Sequence, residues 1–169
     1  MLTELWRSSD LFDLLRSLYT AKMAALQFHG SEEEGSESSP EQSPLFYQQG
    51  CQMAVQTLLL ALGYLPQDFY QADPDETTRR GRGRELWLRS ELGSLIASIY
   101  DAFTSPAGWL PQDSAPADPA WTIRHDGFYD MLAQVLQTLG LPTEILQQEW
   151  QPPPPIEPRI WIGDDTDEH

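Results

Sequence analysis

The chain has 169 residues, enough for one domain with a single core. Ten Lys and Arg stand against 26 Asp and Glu, a formal charge of −16, which disfavours general attraction to nucleic-acid phosphates or anionic membranes and permits basic partners. The single cysteine, Cys51, excludes an intramolecular disulfide and a multi-cysteine metal site.

The N-terminal stretch MLTELWRSSD has no apolar run of signal-peptide length, and the run Leu58 to Leu62 is too short to cross a bilayer. A soluble cytoplasmic protein is the expectation. Residues 2–27 carry Leu5, Leu11, Phe12, Leu14, Leu15 and Leu18 at spacings of three and four, which predict an amphipathic helix with Thr3 as its N-cap. Residues 31–44 hold no apolar side chain and read as a loop without fixed structure. A second helix is predicted over 46–62, with Val55, Leu58, Leu59 and Leu62 as its stripe and Gly63 as its C-cap. A short helix over 66–72 and a polar linker over 72–84 follow.

Residues 85–103 predict the third long helix, in which Ser90, Gly93, Ser94 and Ala97 make one face small enough for close approach between the halves. The Pro-rich segment 104–121 reads as a loop that also carries Trp109, Leu110 and Trp121. A fourth helix over 123–139, a short helix over 142–150 and a polyproline stretch from Gln151 to Pro158 complete the chain. Arg159 to Ile162 is the one strand-like segment expected, ahead of an acidic end.

The first and third of these helices repeat one sequence. ELWRSSDLFDLLRSLYTA (4–21) and ELWLRSELGSLIASIYDA (85–102) share nine of eighteen positions without a gap, among them Trp6/Trp87 and Tyr19/Tyr100. GCQMAVQTLLLALG (50–63) and GFYDMLAQVLQTLG (127–140) match more weakly, each followed closely by Leu-Pro. The pattern reads as an internal duplication. The expected fold is all-α: an internally duplicated helical-hairpin bundle of four main helices and two short ones, with long polar loops and an extended Pro-rich tail. Its parts are a first repeat (1–78), a basic linker (79–84), a second repeat (85–150) and a tail (151–169).

No constellation of catalytic type dominates. Asp10 with Asp13, and Glu85 with Glu91, lack the Glu-x-x-His partners of a helical metal site, so no metal or cofactor is expected. Arg124 and His125 open a helix together, and a His general acid or base beside a phosphate-holding Arg suits a helical ribonuclease. The favoured reading of the same cluster is an ordinary polar helix entrance with Asp126 as cap. Cys51, with no basic neighbour at helical spacing, reads as a buried thiol. Arg79, Arg80, Arg82 and Arg84 form a basic cluster that either meets an acidic partner or pairs with nearby acids. Trp6, Trp87, Tyr19 and Tyr100 either pack a shared core or line two related aromatic grooves. Ile160, Trp161 and Ile162 form an apolar hook on a stiff spacer, suited to docking on a partner or back on the chain itself.

The leading expectation is a non-catalytic adaptor, assembly factor or small subunit that binds another protein, with self-association open. A ribonuclease centred on Arg124 and His125, and an acidic mimic of nucleic acid, are the alternatives.

Overall fold

The computed structural model describes residues 5–29, 43–104 and 119–147. Among the described residues the fold is all-α apart from one short ribbon. In chain order the elements are β1 (Leu5–Arg7), α1 (Ser8–His29), α2 (Ser43–Ala61), α3 (Pro66–Phe69), α4 (Glu76–Arg80), β2 (Leu86–Leu88), α5 (Arg89–Thr104), α6 (Pro119–Thr138) and a closing 3₁₀ turn (Thr143–Leu146). Among the described residues no helix is long and apolar enough to cross a membrane.

Both strands correct the expected helix starts. Leu5–Arg7 and Leu86–Leu88 are extended and pair antiparallel, with Trp6 opposite Trp87, Leu5 opposite Leu88 and Arg7 opposite Leu86. The ladder runs into the next turn, where the Ser8 N–H donates to the Glu85 carbonyl at 2.9 Å and the Ser8 hydroxyl to the Arg84 carbonyl. Partners about 80 residues apart provide these bonds, and no local periodicity reports them. Alternation then turns both indoles toward the core and leaves Leu5, Leu86 and Leu88 exposed.

Other boundaries shift for local reasons. α2 begins at Ser43 and α6 at Pro119, earlier than apolar spacing indicates, because Pro44 and Pro119 fit a first helical turn, where their missing N–H costs nothing. The stretch 72–84, expected as linker alone, holds the one-turn helix α4, whose first turn is capped by Asp75 accepting from the Thr78 N–H. The expected helix over 142–150 is a 3₁₀ turn over Thr143–Leu146. The loops 31–42 and 105–118 and the tail from Gln148 onward lie outside the described residues.

α2 and α6 make the most extensive helix contact. They meet at Gly50 and Gly127. A methyl group on Gly50 would overlap the Arg124 carbonyl and stand 2.9 Å from the Phe128 nitrogen; one on Gly127 would overlap the Tyr47 carbonyl. The closest approach therefore lies here and not at the small face of α5. Gly93 of that face packs instead on Leu141 and Ile145.

Matching positions of the two halves occupy matching places. Ala54, Val55, Leu58, Leu59 and Leu62 are buried, and so are Met131, Leu132, Val135, Leu136 and Leu139, each 77 positions further on. Gly63 and Gly140 both take positive φ, 90° and 71°, ending α2 and α6 in the left-handed turn that glycine adopts without strain. The Tyr64 and Leu141 N–H groups that follow bond back to the Leu59 and Leu136 carbonyls, at 2.9 and 2.8 Å. Phe12 of α1 packs its ring on Tyr64 and Phe69, with centroids 5.1 and 5.9 Å away. Gly93, at the same place in α5, leaves room for Leu141 and Ile145. Complete burial of a side chain such as Phe12 stabilises by about 1.5–3 kcal/mol, so the core at this interface holds the fold.

Candidate functional site

The sequence-predicted aromatic positions do not converge. Trp6 and Trp87 face the core from the ribbon, and each indole Nε1 is buried without a hydrogen-bond partner. Tyr19 meets Phe69 and Tyr70, with centroids 5.8 and 6.3 Å away, and burial first, then Tyr70, pushes its phenol up to about 12. Tyr100 meets Tyr129 at 5.7 Å, and its hydroxyl lies 3.1 Å from His125 Nε2. Ile160, Trp161 and Ile162 lie outside the described residues.

Arg124 and His125 leave α6 in different directions, as neighbours about 100° apart on a helix must. The Arg124 guanidinium stacks 4.7 Å over Phe46 and its Nε donates to Gln49 Oε1 at 2.9 Å. His125 stacks between Trp121 and Phe103, with centroids 5.1 and 6.2 Å away. The two side chains therefore do not share one phosphate-sized space.

Three arginines of the basic cluster are engaged with acids. Arg79 pairs with Asp13 of α1 and Arg80 with Glu76 at 3.1 Å. Arg84 meets Glu91 at 2.8 Å and stacks 5.5 Å from the Trp87 ring. Arg84 and the Leu88 N–H hold the Glu91 carboxyl below its ordinary pKa, and the bond to Leu88 closes the first turn of α5.

Two grooves are built from matching positions of the two halves. One lies between α1 and α6, has a volume of about 420 Å³ and is lined by Ala21, Lys22, Ala25, Asp130, Ala133, Gln134 and Gln137. The other lies between α5 and α2, has a volume of about 330 Å³ and is lined by Met53, Gln56, Thr57, Leu60, Ser98, Ile99, Ala102 and Phe103, with Phe128 beneath. Along α6 and α2 the lining residues correspond one for one: Asp130 to Met53, Ala133 to Gln56, Gln134 to Thr57, Gln137 to Leu60. Along α1 and α5, Ala21 corresponds to Ala102 and Lys22 to Phe103.

The same place thus carries opposite chemistry. In the α1/α6 groove the Lys22 ammonium sits 5.3 Å over the Tyr47 ring, and the Tyr47 hydroxyl donates to Asp130 at 2.6 Å. Burial and the bond to Asp130 push the Tyr47 phenol far above its ordinary value. In the α2/α5 groove a phenyl ring replaces the lysine and a thioether replaces the carboxylate. Phe103 stacks on Phe128 with centroids 3.8 Å apart and planes 6° from parallel, while Leu60 on the rim is 56% exposed.

Comparison with protein-family models, curated proteins and solved structures finds no match to this chain.

The apolar groove was missed in the sequence, although two signals mark it. Leu58, Leu59 and Leu60 are consecutive, and three neighbours on a helix cannot all face one core. The second is the contrast between the aligned stretches, Lys22 against Phe103 and Asp130 against Met53.

Proposed function

We propose that this chain is a non-catalytic protein-interaction module built by internal duplication, and that it engages its partner through the groove between α2 and α5. The observation that carries this reading is the paired grooves, one carrying Lys22 and Asp130 and the other apolar at the matching positions. An apolar concavity beside an exposed leucine offers a partner buried apolar contact area that the charged groove does not. The duplication is supported by the matched buried positions, the equivalent glycine crossing and the antiparallel pairing of Trp6 with Trp87, which sets each half against its counterpart. The Pro-rich tail with Ile160, Trp161 and Ile162 serves the same task as a second, tethered contact.

A photo-crosslinking amino acid at position 60, introduced into the full chain in its own cells, tests the module. A discrete crosslinked protein is expected at position 60 and none from the matching position 137. Equal, diffuse labelling from both positions overturns the reading.

A further inference from the structure

The triplet that builds the ribbon occurs a third time in the chain. Leu5-Trp6-Arg7 forms β1 and Leu86-Trp87-Leu88 forms β2. Ile160-Trp161-Ile162 again sets an aliphatic residue before Trp, with Ile after it. The triplets also stand at matching distances from what precedes them. β2 follows Tyr70 after fifteen residues, 71–85. Ile160 follows Gln147, which corresponds to Tyr70, after twelve residues, 148–159.

The ribbon has an edge for a third strand. The bond from the Ser8 N–H to the Glu85 carbonyl fixes the alternation of the ladder. The N–H and C=O groups of Leu5 and Arg7 therefore point away from β2, and those of Leu86 and Leu88 away from β1. The Glu91 carboxylate accepts from the Leu88 N–H and closes the β2 edge. Asp10, at the same place after β1, is exposed and makes no such bond among the described residues. The β1 edge is thus the open template. It also carries Arg7, exposed and without an ion pair among the described residues, where β2 carries Leu88. The residues just beyond the third triplet include Asp164, Asp165, Asp167 and Glu168, the charge that complements Arg7.

Register and reach agree with this edge. Alternation sets Trp161 on the inner face beside Trp6, and Ile160 and Ile162 on the outer face beside Leu5, which is 51% exposed. In the first half, the chain travels from Tyr70 to β2 with a helical turn, α4, and a left-handed turn at Gly81, φ 67°, to spare. Exchanging the halves about the Trp6/Trp87 pair turns that route into one from Gln147 to β1. Twelve residues with five prolines reach about 37 Å in polyproline form, more than the length of α1, about 33 Å.

We propose that Ile160, Trp161 and Ile162 dock in their own chain as a third strand on the open edge of β1, with the acidic residues beyond them beside Arg7. This is the resting place of the segment that serves above as a tethered contact, and its test stands apart from that function.

The test has two parts. Hydrogen exchange of single backbone amides is followed by NMR in the full chain, in full-length Trp161→Asp, and in a chain ending at Gln151. The Leu5 and Arg7 amides are expected to exchange at least about tenfold more slowly in the full chain than in either variant. The Leu86 amide, on the far edge, is expected to be equal in all three, and the Leu59 and Leu136 amides report that the core is intact. Equal exchange of Leu5 and Arg7 in all three proteins overturns the proposal. The second part places a benzophenone amino acid at position 161 of the full chain, so it decides even where a variant loses its fold. Crosslinking within one chain to residues 5–7 is expected. A crosslink to residues 53–60 of α2 assigns the segment to the groove, one between two chains assigns it to a second copy, and either result, or no discrete crosslink, overturns the proposal.

Discussion

Cys51 lies where α2 meets α6, its Sγ donating to the Gly127 carbonyl at 3.3 Å. Burial is the main cause that pushes this thiol up from 9.0 to about 11. A raised thiol pKa disfavours the thiolate, which is the reactive form, by about a hundredfold here. Alkylation by iodoacetamide at pH 8 is therefore expected to be slow in the folded protein and to accelerate with urea as the helices separate. Rapid native labelling that is independent of urea would show the thiol to be accessible. The buried thiol is legible in the sequence, because Cys51 has no basic neighbour at helical spacing. The two indoles are only half legible. Their repetition marks them as paired, but their shared ribbon depends on residues on either side of the molecule's midpoint. Each buried Nε1 without a partner costs about 1–3 kcal/mol, which the surrounding apolar burial offsets.

At the scale of elements, the crossing of α2 and α6 is the most demanding contact. Gly50→Ala and Gly127→Ala each place a methyl group against backbone, which cannot give way as a side-chain end does. Each is expected to cost about 3 kcal/mol or more, read as a lower urea midpoint. Gly93→Ala is the contrast. Its methyl group would meet Leu141 Cδ1 at 3.3 Å and Ile145 Cδ1 at 3.6 Å, both flexible ends, while alanine gains up to about 1 kcal/mol in helix propensity. The expected change is near zero or stabilising. Equal losses at all three positions would mean that helix flexibility, and not the crossing, sets the cost. The four long helices were legible because burial at spacings of three and four is a local signal. The strands were not, since Leu-Trp fits a helix stripe as well as a pleat and the deciding bonds are made to distant residues. The glycines at the crossing were visible as matching residues, but their role was not, because composition points equally to the small face around Gly93.

At the scale of the whole molecule, one pair of contacts records the relation between the halves. Gln52 Nε2 donates to the Tyr70 hydroxyl at 3.4 Å, and Gln147 Nε2 donates to the Tyr129 hydroxyl at 3.1 Å. Positions 52 and 129 correspond, as do 70 and 147, so the two halves make one contact with the residues exchanged. Gln52→Tyr and Tyr70→Gln are each expected to cost about 0.5–1 kcal/mol, and the double variant to return within about 0.5 kcal/mol of wild type. A double variant that simply sums the single losses would make the exchange a coincidence. The all-α class was readable from periodicity alone. The groove is marked in the sequence only by what differs between the aligned stretches, whereas a similarity search attends to what stays the same.

On the interaction-module reading proposed above, that difference sets how many partners the molecule can hold. A dimer of identical halves presents every surface twice, so it binds two ligands and can bridge them. Under the proposed duplication, fusion into one chain releases each half from that constraint. With Lys22 and Asp130 in one groove and Phe103 and Met53 in the other, the proposed interaction module presents its apolar groove once.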